Sequence, residues 1–334
     1  MSREFIVIPM GDPAGIGPEI VVKSLAKPEV QEEAKLVVIG DKKVLEKAND
    51  LCKTHLKINV IQSPSQGDYA PGVLNLIDLD NIDMNSFQYG QVQAQCGQAA
   101  FDYIKKSIDL CQSGEVVAMA TTTINKEAFK AAGINYIGHS EVLEDLTNTK
   151  EPLTMFQVKD LRVFFYSKHV SLKEACDLIS YDGIQELYFK SKQALKTLGI
   201  TDPKIAVAGL NPHCGEHGLF GSEEVDSITP AVEDLQAKGE KIYGPIGADA
   251  VFHQALNGKY DGVLSLYHDQ GHIATKMVDF ERTISFTHGL PFLRTSVDHG
   301  TAFDIAGKGI ASEVSLDEAI RYAAQYAEAF RKNS

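Results

Sequence analysis

The stretch Phe5-Ile-Val-Ile-Pro9, followed by Met10-Gly-Asp-Pro-Ala-Gly-Ile-Gly-Pro-Glu19, decides the fold class. An apolar run of strand length leads into a glycine-rich loop, and Pro18 stands where the first turn of a helix accepts proline. The same succession of a short apolar run and a longer amphipathic stretch recurs along the chain. It predicts an α/β fold with a largely parallel sheet in each lobe.

Two lobes are expected because 334 residues exceed what one hydrophobic core usually organises. We assign residues 1–135 and 285–334 to the first α/β lobe and residues 136–284 to the second. Strands are predicted at residues 5–9, 36–39, 58–61, 116–120, 163–166, 205–208, 263–266 and 283–287. Helices are predicted at residues 18–26, 43–48, 91–110, 184–198, 223–237, 248–256 and 316–330.

Composition excludes several classes of protein. The net charge of -13 disfavours binding to nucleic acid or to anionic membranes. No apolar run is long enough to span a membrane, and the N-terminus lacks the pattern of a signal peptide. The 5 cysteines are odd in number, widely spread and without a CxxC pair, which favours a reducing compartment and disfavours a cysteine-based zinc site. We therefore expect a cytoplasmic protein.

The glycine-rich loop after the first strand leaves two interpretations open. A helix N-terminus with glycines beside it favours an anion. The loop is not GxGxxG and has no Walker lysine, so neither standard nucleotide motif applies. A tight turn between strand and helix is the structural alternative. A second loop, Gly138-His139-Ser140-Glu141, places a histidine before a helical pattern, where it either points into a cleft or lies on the surface.

Three histidines follow predicted strands: His169, His213 and His268. Ligand sites of α/β folds lie at the carboxyl ends of strands. Neutral imidazoles suit Zn²⁺ and similar ions, and three protein ligands with one open position are the catalytic arrangement. The alternative is three unrelated polar loop residues. Four other histidines compete for such a role: His217, His253, His272 and His288.

The stretch from Leu290 to Gly309 contains Arg294 beside a glycine-rich turn. A buried arginine binds a carboxylate or phosphate through two hydrogen bonds, although a structural carboxylate such as Asp298 would also hold it. Lys276 is a candidate second cation, with a solvated lysine as the alternative.

Taken together, these strings resemble the 4-hydroxythreonine-4-phosphate dehydrogenase family of vitamin B6 biosynthesis. The strings are Gly11-Asp-Pro-Ala-Gly-Ile-Gly-Pro-Glu19, Asn125-Lys126, Gly138-His139, Asn211-Pro-His213, Tyr267-His-Asp-Gln-Gly271 and Arg294-Thr-Ser-Val-Asp-His-Gly-Thr-Ala302. They occur in order over nearly the whole chain. The last string is also similar to the adenine-binding loop of isopropylmalate and isocitrate dehydrogenases.

The resemblance implies a two-lobed α/β/α fold like that of isocitrate and isopropylmalate dehydrogenases, with the active site in the interlobe cleft. It implies a homodimer whose subunits share metal ligands, one divalent ion (zinc, with magnesium or cobalt as alternatives), and NAD or NADP as cofactor. The implied reaction oxidises the 3-hydroxyl of 4-hydroxythreonine 4-phosphate and then removes CO₂.

The resemblance also assigns residues. The metal ligands are His169, His213 and His268, one of them from the partner subunit. The substrate-binding residues are His139, Ser140, Lys276, Ser285 and Arg294. The cofactor-binding residues are His299, Gly300 and Asp304. The candidate catalytic residues are Lys276, Asp269 and Asp249.

Departures from the family pattern concern the substrate. Residues 121–126 replace a proline-containing loop, Ser140 stands in place of threonine, and Ser285 stands in place of asparagine. Residues 217–221, 271–272 and 302–306 are more similar to the branch that acts on 4-phospho-D-threonate or 4-phospho-D-erythronate. The alternative reaction is therefore oxidation of such a phosphorylated sugar acid to dihydroxyacetone phosphate.

Two other function classes fit the sequence less well. An acyl- or phosphate-transferase on the same general fold would need neither the histidines nor the adenine loop, so those strings count against it. A non-catalytic metabolite sensor would keep the basic residues and lose the metal ligands, whereas all three histidines are present.

Overall fold

A computed structural model describes residues 3–333. Contacts divide the chain into two compact units. The first comprises the chain up to Pro152 together with Gly289–Lys332, and the second comprises Leu153–His288. Strands and helices alternate in both units, which confirms the predicted α/β class.

The first unit contains a parallel sheet. Its strands are β1 (Phe5–Pro9), β2 (Lys35–Gly40), β3 (Lys57–Val60), β4 (Val73–Asp78), β5 (Ala118–Thr121) and, after the second unit, β12 (Leu293–Ser296). They lie in the order β3-β4-β2-β1-β5-β12, with every pairing parallel. The central strands are buried and apolar, as strands covered on both faces require.

The helices of the first unit start at recognisable caps in several cases. They are α1 (Gly17–Leu25), α2 (Pro28–Glu33), α3 (Lys42–Cys52), α4 (Ala94–Gln112), α5 (Lys126–Ala131), α6 (His139–Thr147) and α12 (Val314–Asn333). The Asp41 carboxylate accepts hydrogen bonds from the amides of Lys43 and Val44, and the Asn125 side chain accepts one from the amide of Ala128. These caps set the starts of α3 and α5.

Helix α4 approaches α5 closely at Gly97. A Cβ atom at this position would lie 2.1 Å from the carbonyl oxygen of Ala128. Because that neighbour is backbone, we expect Gly97→Ala to lower the free energy of unfolding by about 3 kcal/mol. Urea denaturation measures the change. Gly138→Ala is the matched control, since a Cβ there meets nothing within 4 Å and its φ of 179° is extended; equal losses in the two variants would contradict the prediction.

The second unit contains a mixed sheet. Its strands are β6 (Leu153–Val158), β7 (Leu161–Phe165), β8 (Ile205–Ala208), β9 (Ile242–Ile246), β10 (Gly262–Ser265) and β11 (Ile284–His288). They lie in the order β11-β6-β7-β10-β8-β9. The β11–β6 and β6–β7 pairings are antiparallel, and the other pairings are parallel.

Helices pack against this second sheet around a core that includes Phe156, Val163 and Val251. They are α7 (Leu172–Asp177), α8 (Tyr181–Thr197), α9 (Thr229–Ala237), α10 (Ala248–Leu256) and α11 (His268–Val278). Ser171 and Ser180 cap α7 and α8 through their side-chain oxygens. Within residues 3–333, no helix is both long and apolar enough to cross a membrane.

The unit boundaries differ from the expected positions at both ends. Residues 136–152 belong to the first unit because α6 packs against α4 there. Residues 285–288 belong to the second unit because β11 pairs with β6 along its whole length. Both boundaries therefore follow from packing partners that are distant in sequence.

Candidate active site

Two of the three predicted metal ligands lie side by side. His169 follows β7 and His268 opens α11 just after β10, and these strands are parallel neighbours. The two imidazole rings have their centres 6.1 Å apart. They stand at the carboxyl edge of the sheet, where α/β folds place ligand sites.

Asp269 orients His268. Its Oδ1 lies 2.7 Å from Nδ1 of His268. A carboxylate only accepts hydrogen bonds, so Nδ1 is the donor and Nε2 keeps its lone pair. This carboxylate–histidine pairing is the one that commonly supports a metal-binding imidazole.

The third predicted ligand, His213, lies apart from this pair. It follows β8, the other neighbour of β10, and is exposed within a left-handed turn over residues 213–217. Among residues 3–333, no three His, Cys, Asp or Glu side chains form a group that could hold a metal ion. The buried Glu224 carboxylate accepts hydrogen bonds from the amides of Leu210 and Asn211, which fixes the base of this turn.

His272 belongs to the same cluster, although the sequence offered it only as a competitor. Its ring centre lies 4.0 Å from that of His268 and 4.4 Å from that of Phe156. Burial lowers the pKa of His272 to about 4, with a smaller contribution from the neighbouring His268, so the ring packs in its neutral form. The available signal was its spacing of four residues from His268, which places both on one face of α11.

Lys168 is a candidate that the sequence reading missed. It lies between the buried Ser167 and His169, and its Nζ donates a hydrogen bond to Oγ1 of Thr154 at 2.8 Å. Burial lowers the pKa of this ammonium group. A cavity of about 320 Å³ is lined by Lys168 together with His169 and His268.

The remaining predicted residues of the second unit lie on three elements. Lys276 is on α11, one turn beyond His272, with its ammonium 5.0 Å from the ring centre of Phe280. Ser285 is half-buried on β11. Asp249 is exposed in the first turn of α10 and lines a groove of about 450 Å³ together with Asp269.

Two predicted substrate-binding residues lie in the first unit and influence one another. Arg294 is buried on β12 and donates a hydrogen bond to Oγ1 of Thr121 at 2.8 Å. Burial lowers the pKa of Arg294 to about 9. His139 opens α6, and burial together with the charge of Arg294 holds its pKa well below the usual value. Ser140 follows it and is exposed.

The predicted cofactor-binding residues follow β12 in an exposed segment. His299, Gly300 and Asp304 are all exposed, and Nδ1 of His299 lies 3.0 Å from the carbonyl oxygen of Gly300. The segment is anchored by the first loop of the chain. Glu19 accepts a hydrogen bond from the amide of Gly307 at 2.6 Å.

The first loop itself is a packing element. The amide of Asp12 donates to the carbonyl of Thr123, and the amide of Ile16 donates to the carbonyl of Thr301. The amide of Ala14 donates to the Asp12 carboxylate. Because these amides are already paired in a buried loop, the structure favours the tight-turn interpretation over an anion cradle.

Asp12 predicts a measurable dependence of stability on pH. Burial raises the pKa of this fully buried carboxyl to about 6, although the Ala14 amide opposes the effect. A raised pKa means that the folded state favours the protonated form, so stability is highest below the unfolded pKa and falls as pH rises through about 6. We compare the free energy of unfolding of Asp12→Asn with that of the natural chain. The difference should grow by about 3 kcal/mol in favour of Asp12→Asn between pH 4 and pH 7. Urea unfolding at both pH values measures the gap, and a gap that does not widen would refute the prediction.

Comparison with known proteins places these features in a family. The pyridoxal phosphate biosynthetic protein PdxA model matches residues 32–323. A protein of Fusobacterium nucleatum is 60% identical over 329 residues, covering 98% of this chain and 99% of the relative. A protein of Clostridium botulinum is 56% identical over 331 residues, covering 99% of each. Both are provisionally named D-threonate 4-phosphate dehydrogenase.

A solved structure agrees with the sequence comparison. The 4-hydroxythreonine-4-phosphate dehydrogenase of Klebsiella pneumoniae superposes with a TM-score of 0.91 at 40% identity, covering 97% of this chain and 98% of that one. The resemblance identified from the sequence strings is thereby confirmed. The chain is a dehydrogenase that belongs to the pyridoxal phosphate biosynthetic protein PdxA family.

Proposed function

We propose that this chain oxidises the 3-hydroxyl of a small phosphorylated 3-hydroxy acid with NAD or NADP, and that the product loses CO₂. The observation that carries the proposal is the His169–His268 pair, with Asp269 orienting His268, at the ends of neighbouring parallel strands. Polar groups converging at such an edge are typical of an α/β active site.

His169 and His268 would hold one divalent ion, for which zinc is our first choice and magnesium or cobalt the alternatives. The donor set fits, because imidazole nitrogens suit zinc and Asp269 leaves Nε2 of His268 available. A bound ion would supply Lewis-acid polarisation of a substrate oxygen. His213 would complete the ligand set from a second copy of the chain.

NAD or NADP, held by His299, Gly300 and Asp304, would supply the acceptor for the hydride of carbon 3, and the hydroxyl proton would go to a base. The bond between carbons 1 and 2 then breaks, CO₂ leaves, and carbon 2 takes up a proton. Lys276 is our candidate for the proton transfers, since it lies on the His268 and His272 side of α11. Asp269 acts through His268, and Asp249 is a second candidate acid or base.

The phosphate would bind at His139, Ser140 and Arg294. Arg294 is buried and cationic, and an arginine fork matches a phosphate well. His299, Gly300 and Asp304 would contact the cofactor, in keeping with their exposed position after β12.

The substrate that we propose is D-threonate 4-phosphate. The two relatives with that name are 60% and 56% identical to this chain, whereas the 4-hydroxythreonine-4-phosphate dehydrogenase structure is 40% identical. Ser285 stands where the 4-hydroxythreonine-4-phosphate dehydrogenase family has asparagine, and this difference also favours D-threonate 4-phosphate. 4-Hydroxythreonine 4-phosphate is the second candidate, and 4-phospho-D-erythronate is a third.

The direct test is reduction of NAD and NADP by the purified protein. Each of the three phosphorylated acids is supplied with Zn²⁺, Mg²⁺ or Co²⁺, and the release of CO₂ is followed in parallel. We expect the highest kcat/KM with D-threonate 4-phosphate and equal amounts of reduced cofactor and CO₂. Absence of cofactor reduction with all three acids would overturn the proposed function.

We further propose a homodimer in the cytoplasm. A second copy would supply the His213 that the His169–His268 pair lacks, and two apolar side chains are exposed nearby, Met277 on α11 and Phe280 just after it. The five cysteines are free thiols, as a reducing compartment favours.

Subunit mixing tests the shared site. His213→Ala and His268→Ala are each expected to be inactive alone. Mixed and exchanged, a shared ligand set would restore about a quarter of the sites, because each heterodimer regains one intact set. No recovery in a sample that sedimentation shows to contain dimers would contradict the shared site.

A further inference from the structure

Strands β6 and β11 present a shared face on which Ser285 lies. Alternate residues of a strand point to the same side, so Thr154 and Phe156 share a face of β6. In the antiparallel register, Thr287 lies opposite Thr154 and Ser285 lies opposite Phe156. Ser285 and Thr154 are therefore diagonal neighbours on one face, a separation of about 7–8 Å that long side chains bridge.

Lys168 reaches this same face from a different element. Its Nζ donates a hydrogen bond to Oγ1 of Thr154 at 2.8 Å, and its side chain is half-buried. The backbone beneath it is anchored, because Oγ of the buried Ser167 donates to the carbonyl of Leu266 at 2.9 Å. The ammonium is thus held at Thr154, the diagonal neighbour of Ser285.

The cluster of His169, His268 and His272 adjoins this face. Phe156, which lies opposite Ser285, contacts the ring of His272, and His272 stacks on His268. Lys168 also lines the cavity of about 320 Å³ that contains His169 and His268. A substrate held by the histidine pair in this cavity would therefore bring its neighbouring carbon within reach of Lys168.

The two leading substrate candidates differ in charge at carbon 2. 4-Hydroxythreonine 4-phosphate carries an ammonium group there, and D-threonate 4-phosphate carries a neutral hydroxyl. A fixed cation repels the first, while it donates a hydrogen bond to the second.

We propose that Lys168 is a specificity-determining residue that faces carbon 2 of the substrate and selects hydroxy acids over amino acids. The inference rests on the proposed function. The ammonium of Lys168 repels the ammonium of 4-hydroxythreonine 4-phosphate, and it donates a hydrogen bond to the hydroxyl of D-threonate 4-phosphate. Specificity commonly combines such a repulsion with a favourable contact.

The test measures binding of both phosphorylated acids by calorimetry, with zinc and without nicotinamide so that no turnover occurs. Lys168→Met removes the charge at similar length, and we expect the preference for D-threonate 4-phosphate to fall about 10-fold or more. Lys168→Arg should keep the preference. Thr154→Val, which releases the ammonium from its anchor, should reduce the preference by less than Lys168→Met does.

Two controls separate the possible causes. Lys173→Met, at an exposed position on α7, should leave the preference unchanged. Zinc affinity should be the same in Lys168→Met and the natural chain, which excludes an indirect effect through His169.

The contrary outcomes are distinct. If Lys168→Met weakens both ligands equally or leaves their ratio unchanged, the selectivity inference fails while the proposed function stands. If the natural chain binds neither acid, the proposed function itself fails and the inference falls with it.

Discussion

Replacing His268 with alanine should abolish zinc binding and lower kcat/KM by about three orders of magnitude. A bound divalent ion contributes several kcal/mol to stabilising the charge that develops on a substrate oxygen, and each 1.36 kcal/mol corresponds to about tenfold in rate. Asp269 orients His268, since its Oδ1 lies 2.7 Å from Nδ1 of the imidazole. Zinc affinity is measured by competition with a chelator, and activity by cofactor reduction.

Two further variants make this result specific. Asp269→Asn keeps the imidazole but changes the group that orients it, so zinc affinity should fall by about 10–100-fold. His253→Ala, at an exposed position on α10 where the histidine contacts Asn257, should behave as the natural chain. Unchanged zinc affinity in His268→Ala would remove this residue from the ligand set.

Replacing Arg294 with methionine should lower kcat/KM for the phosphorylated substrate by about 100–1,000-fold. Hydrogen bonds to charged groups contribute about 1.5–3 kcal/mol each, and a guanidinium supplies two of them to one phosphate. The loss should appear mainly in KM. Arg294→Lys should recover only part of it, because an ammonium lacks the forked geometry.

The phosphate itself provides a second measurement. Removing the phosphate from the substrate should lower kcat/KM of the natural chain far more than kcat/KM of Arg294→Met. The variant has already lost the guanidinium that binds the phosphate. Arg331→Met, on the exposed end of α12, is the control. Circular dichroism must show that Arg294→Met folds, since the natural guanidinium also donates to Thr121. An equal fall in kcat/KM for both proteins would show that Arg294 does not bind the phosphate.

Elements with a strong local pattern were predicted well. Strand β1 has the predicted bounds Phe5–Pro9, and β8 has the predicted bounds Ile205–Ala208. Strands β4, β6, β9 and β12 were missed, as were helices α2, α5, α7 and α11. Strand β12 reads as polar because it contains Arg294, and β9 contains Pro245, which normally argues against a strand. The string His268-Asp-Gln-Gly-His opens α11 although its composition is typical of a loop.

What the sequence by itself determined was the α/β class, the family and the identity of the candidate site residues, because these depend on local periodicity and on short strings. Tertiary structure alone decided which of those residues meet. The pairing of β6 with β11 brings Thr154 beside Ser285, and Lys168 reaches them from the loop that carries His169. The ring contacts of His272 with His268 and Phe156 likewise depend on how α11 packs against β6. Strand register and helix packing are set by burial between distant segments, and no local pattern along the chain records them.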